Sequence, residues 1–144
     1  MNNLTKFRES LSELMQLEGL TSGQLGAAIG VNGSTVWLWA AGKRNIRLSN
    51  AVKLCTYFNC SLEFLTGRTD KHSEYCPKTA LSFYDCLRAL MNDRGITRYR
   101  IVKNLKKSHH HFDQWKAGAD PFLQTVLELA EYFGVAVDYF IGQP

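Results

Sequence analysis

The stretch Thr21-Ser22-Gly23-Gln24-Leu25-Gly26-Ala27-Ala28-Ile29-Gly30-Val31-Asn32-Gly33-Ser34-Thr35-Val36-Trp37-Leu38-Trp39-Ala40-Ala41-Gly42 decides how the chain folds. Thr21 with Gln24 three residues later is a capping box, and it opens a helix. Leu25 and Ile29, four apart, share one face of that helix. Gly30 ends it, Val31 marks a tight turn, and Asn32 is suited to cap the next helix. Val36 and Trp39 form the inward stripe of that second helix, and Gly42 stops it. Two short helices joined by a tight turn are therefore expected over residues 21–42.

Reading outward extends the helical pattern. Upstream, Phe7, Leu11, Leu14 and Met15 stand at i, i+4, i+7 and i+8, one apolar face of a first helix. Gly19 follows and can supply the left-handed residue after its end. Downstream, Leu48, Ala51, Val52, Cys55 and Phe58 predict a fourth helix, and Ser61 through Leu65 a short fifth. Strands have no place in this pattern.

The chain then repeats itself. At an offset of 76, Phe7, Leu11, Leu14 and Met15 meet Phe83, Leu87, Leu90 and Met91. Gly19 and Thr21 meet Gly95 and Thr97, and Trp39, Ala41 and Gly42 meet Trp115, Ala117 and Gly118. One residue is then lost. At an offset of 75, Leu48, Leu54, Tyr57, Phe58 and Gly67 meet Leu123, Leu129, Tyr132, Phe133 and Gly142. The reading is all-α, with two five-helix units at 1–67 and 82–144 and a polar linker at 68–81 broken by Pro77. Asp120-Pro121 predicts the cap and first position of the second unit's fourth helix. Fully extended, the linker could span about 40 Å, enough for units on successive half-sites of a duplex.

Composition narrows the function classes. The 144 residues are 45% hydrophobic, 12% aromatic and 21% charged, a folding composition. No apolar run is long enough to cross a bilayer, and the N-terminus has no secretory core, so the cytoplasm is the expected compartment. Net charge is +4, from 17 Lys and Arg against 13 Asp and Glu. Arg94, Arg98, Arg100, Lys103, Lys106 and Lys107 lie together with no acid among them, whereas Asp120, Glu128, Glu131 and Asp138 follow the last lysine, Lys116. The basic run suits either a solvated helix face or phosphate contact. Cys55, Cys60, Cys76 and Cys86 lack metal-ligand spacing and read as structural, reduced thiols. His109-His110-His111 point about 100° apart on a helix and do not converge on one ion. No nucleophile, base and orienter form a set, so neither an enzyme, a cofactor nor a metal is expected.

Residues 21–42 resemble the helix-turn-helix of the Cro/C1-type (XRE) regulators, in the Leu followed by a small residue, the turn Gly and the Val36-x-x-Trp39-x-x-Gly42 ending. Tyr57 through Arg68 are similar to the tail of that domain. The second half is similar in Phe112-x-x-Trp115-x-x-Gly118 and in Tyr132 through Gly142. The resemblance implies two tandem lambda-repressor-like domains. It implies a sequence-specific, DNA-binding transcriptional regulator of bacterial or phage type on double-stranded DNA, in which one chain mimics a repressor dimer or a homodimer presents four units. It places base-reading positions at Gly33, Ser34 and Leu38, and at His109, His110 and Gln114. It places phosphate contacts at Ser22, Lys43, Arg44, Arg47, Arg98, Lys106 and Lys107.

The second unit departs from the pattern. Val102 replaces the small residue, and Lys106-Lys107 replace the turn's Gly30-Val31. Trp37 cannot share the stripe of Val36 and Trp39. It can pack on its own chain, meet a protein surface together with Leu38, or touch DNA; the protein contact is the expectation carried forward. That pair supports a protein-binding inhibitor of the anti-CRISPR kind as the alternative function, with a DNA-binding antitoxin as a third.

Overall fold

The computed structural model describes residues 4–72 and 82–141. Five helices run in the first part: α1 (Thr5–Leu17), α2 (Ser22–Ile29), α3 (Gly33–Ala40), α4 (Leu48–Phe58) and α5 (Leu62–Leu65). The second part follows the same order with α6 (Phe83–Arg94), α7 (Arg98–Leu105), α8 (His109–Lys116), α9 (Leu123–Phe133) and a closing 3₁₀ helix (Val137–Ile141). No strand occurs among the described residues; the single β-bridge joins Arg47 to Phe122. Of the expected linker, residues 73–81 lie outside the described residues, as do Cys76 within it, Gly142 and the ends of both expected units.

Local signals set most helix ends. The Thr21 hydroxyl accepts from the Gln24 amide at 3.1 Å, and the Gln24 side-chain oxygen accepts from the Thr21 amide at 2.9 Å. Gly19 and Gly30 take the left-handed conformation, at φ 65° and 83°. Asn32 occupies the N-cap of α3, but its side chain makes no capping hydrogen bond.

Matching positions are buried alike. Phe7 and Phe83, Leu11 and Leu87, Leu25 and Ile101, Val36 and Phe112, and Trp39 and Trp115 all face the interior. Each tryptophan takes roughly 150–250 Å² out of water, which contributes about 4–6 kcal/mol at 25 cal/mol per Å². The buried side chains of both parts form one continuous cluster. Cys55, Cys60 and Cys86 belong to it. The Cys55 thiol is hydrogen-bonded to Cys60, and this contact together with burial holds its pKa well above the usual range.

The two parts meet along α4 and α9, and along α5 and the 3₁₀ helix. Backbone bonds run in both directions: the Leu48 amide donates to the Pro121 carbonyl and the Leu123 amide to the Ile46 carbonyl, each at 2.8 Å. Asp138, a buried acid, accepts from the amides of Leu62 and Glu63 at 2.7 and 2.8 Å, capping α5. Glu63 accepts in return from the Val137 amide at 2.8 Å. Burial raises the Asp138 pKa above the ordinary carboxylate value, against the opposing pull of the two amides.

Asp120-Pro121 do not open α9, contrary to the sequence reading. Phe122 is the N-cap there, with no side-chain cap. Asp120 instead accepts from the Ser49 amide at 3.1 Å and from the Ser49 hydroxyl, so it caps α4 in the other part. The N-cap of α4 is Arg47, whose side chain has no acceptor. The first-turn amides of α4 are thereby left for a partner from outside.

Candidate nucleic-acid interface

The α2–turn–α3 unit is built on backbone contact. A Cβ on Gly26 would lie 2.6 Å from the Val31 carbonyl oxygen and 3.0 Å from the Gly33 nitrogen. One on Gly33 would lie 2.8 Å from the Gly23 Cα. Glycine is therefore required at both positions, and Gly33, expected at the reading surface, also seats α3 against α2. The amides of Gly30 and Val31 both donate to the Gly26 carbonyl, at 2.8 and 2.9 Å, and close the turn. Val36 and Trp39 anchor α3 in the core.

That anchoring fixes what α3 offers outward. Ser34 is exposed and Leu38 half-buried. Trp37 is 52% exposed, with the Lys43 ammonium 5.6 Å from its ring centre. Arg44 donates to the Thr35 hydroxyl at 3.3 Å and keeps its place beside α3. Ser22 stands half-buried at the start of α2. Arg47 turns away from this cluster. Its guanidinium donates to the Asp120 carbonyl at 2.7 Å and lies 3.9 Å from the Phe122 ring centre, at the contact between the two parts.

The second unit is assembled from side chains. Ser108 and His111 form a capping box at the start of α8, in which the His111 Nδ1 accepts from the Ser108 amide at 3.2 Å. His111 is thus a structural cap that stacks on Trp115, and it is exposed, as are His109, His110 and Gln114. Arg98 donates to Asp113 at 2.6 Å and to the His109 carbonyl, tying α7 to α8. This contact lowers the Asp113 pKa below the usual carboxylate value. Lys107 pairs with Glu128 on α9 at 2.9 Å, and Asn104 donates to the Tyr132 hydroxyl at 2.9 Å. Lys106 is exposed and closes α7 in the left-handed region at φ 54°.

The structure thus brings the expected residues to two clusters. Ser34, Leu38, Trp37, Lys43 and Arg44 gather around α3, and His109, His110 and Gln114 share α8. Arg47, Arg98 and Lys107 make intramolecular contacts instead of standing open. The pair Glu63 and Asp138 went unread in the sequence. Its available signal was that the two acids meet each other at the 75-residue offset, each just after an apolar residue that starts a short helix.

The helix-turn-helix family, a family of DNA-binding regulatory domains, has a model that matches residues 11–65, from within α1 to the end of α5. No curated protein and no solved structure matches the chain. Among the described residues, no helix is long and apolar enough to cross a membrane.

Proposed function

We propose that the chain is a sequence-specific DNA-binding transcriptional regulator of bacterial or phage type, working in the cytoplasm. In this reading it carries two tandem five-helix domains, at 1–67 and 82–144, joined by 68–81. The reading helices α3 and α8 enter the major groove, which admits a helix. The observation that carries this reading is the interlocked α2–α3 pair, lying inside the stretch that matches the helix-turn-helix family. Val36 and Trp39 hold α3 by one face, so Ser34 and Leu38 are presented on another, with Lys43 and Arg44 beside them for phosphate.

Gln114 suits bidentate contact with adenine and His110 suits guanine N7, whereas Leu38 suits a thymine methyl. Ser22 and Lys106 complete the phosphate set, whereas Arg47, Arg98 and Lys107 are held by Asp120, Asp113 and Glu128. Duplex binding measured over a salt series tests the reading. Three to five neutralised phosphates give a slope of log K against log salt between about −2.7 and −4.5. Charge reversal at Lys43 and Arg44 weakens all duplexes alike. Undetectable affinity for every duplex at low salt overturns it.

The exposed Trp37 favours a second reading, a protein contact through Trp37 and Leu38. An indole left half in water beside a leucine is an apolar patch suited to a protein surface. The double variant Trp37→Ala, Leu38→Ala then loses mass or partners in light scattering while keeping its circular dichroism. A change in preferred DNA sequence with unchanged mass assigns these residues to base reading instead.

A further inference from the structure

Part of the contact between the two parts is reciprocal, although the Asp120 cap on Ser49, the Arg47 bond to the Asp120 carbonyl and the Glu63 amide bond to Asp138 have no mates. At the 75-residue offset, Ile46 corresponds to Pro121, Leu48 to Leu123, Leu62 to Val137, and Glu63 to Asp138. The Leu48 amide donates to Pro121, and the Leu123 amide donates to Ile46. The Leu62 amide donates to Asp138, and the Val137 amide donates to Glu63. Arg47 and Phe122, themselves a corresponding pair, face each other across the antiparallel bridge. Exchanging the two parts maps every one of these bonds onto its mate. Such reciprocity, in which residue i meets j and j meets i, is the signature of a two-fold interface between identical subunits. Here it lies inside one chain, and the same exchange carries α3 onto α8.

The two reading helices are nevertheless chemically unlike. Ser34 and Leu38 stand where α8 has His110 and Gln114. A homodimer offers the same helix twice and reads a palindrome. A chain with this internal interface offers two different helices. Its self-complementary surface is already occupied from within, so a second copy has no equivalent surface to use.

We infer that one chain binds one duplex as a complete reader, on a non-palindromic site of two unlike half-sites about one helical turn apart. The inference rests on the DNA-binding reading above. Of the two arrangements that the family resemblance leaves open, it selects the single chain that mimics a dimer over the homodimer.

The test selects preferred duplexes from a random pool, then measures chain-to-duplex stoichiometry by sedimentation. The expected result is one chain per duplex and two different half-sites. Inserting five base pairs between them, a half turn, should lower affinity by about 100-fold or more, because the rigid link then forbids simultaneous engagement. The pair His110→Ala, Gln114→Ala should relax preference by roughly ten-fold in one half-site only, and Ser34→Ala, Leu38→Ala in the other only. Circular dichroism checks that both variants stay folded. Two chains on a palindrome, or unlike half-sites that tolerate the insertion, overturn the inference and leave the regulator reading standing. Absence of binding to any duplex at low salt removes the regulator reading and the inference with it.

Discussion

The pairs α2–α3 and α7–α8 occupy matching places and begin with the same threonine cap, yet they are held by opposite means. In α2–α3 the backbones touch, because Gly26 and Gly33 leave no side chain between them. That contact is the most extensive between any two elements. In α7–α8 the corresponding residues are Val102 and His109, and the helix pair is linked through Arg98, Asp113 and the His109 carbonyl. Lys107 and Asn104 then tie the turn region to α9. A polar staple can stand in for a glycine contact, but it depends on charge, pH and salt in a way that packed backbone does not.

The comparison breaks most sharply at Gly26. Gly26→Val forces a side chain to within 2.6 Å of a backbone oxygen, and such overpacking costs about 3 kcal/mol. Thermal unfolding should show a large fall in Tm. The mirror change, Val102→Gly, removes a half-buried side chain and lowers helix propensity by about 0.5 kcal/mol, so a fall as large as that of Gly26→Val would show that the two pairs are not held differently.

Next in size is Asp120→Ala. It strips the cap from α4 and should lower stability by about 1 kcal/mol in a urea titration, whereas a cap acting on α9 would leave amide exchange at Ser49 unchanged. Lys106→Gly acts in the other direction. A lysine at φ 54° carries about 1 kcal/mol of left-handed strain that glycine relieves, so Tm should rise.

The smallest effect sharpens the electrostatic side. Arg98 lowers the Asp113 pKa, so the folded state holds that proton less tightly than the unfolded state. The contribution is present above the ordinary carboxylate range and is lost as pH falls through the lowered native value. Asp138 has the opposite sign: its raised pKa contributes stability below the ordinary range that is lost as pH rises through the native value. Asp113→Asn should remove the first dependence and leave the second, as read from denaturation midpoints along a pH series.

Much of this was legible in the sequence because it is local. The Thr21–Gln24 box, the left-handed Gly30 and the inward pair Val36 and Trp39 each depend on residues within a turn or two. What escaped has its cause far along the chain. Asp120 before Pro121 has the local pattern of a helix start, yet its partner is Ser49, and nothing near it in sequence points there. Arg98 and Lys107 look like open cations until Asp113 and Glu128 are brought beside them. The contact between the two parts was half visible: the self-match pointed to two similar stretches, but their meeting through Glu63 and Asp138 depends on packing that no periodicity encodes.

Because the interface of Ile46–Leu48 with Pro121–Leu123 closes within one chain, its formation is a unimolecular event. Its occupancy does not fall on dilution, as that of two separate subunits would. If one chain is the complete reader, the amount of competent protein rises in direct proportion to the number of chains made, without the squared dependence that gives a dimer its threshold.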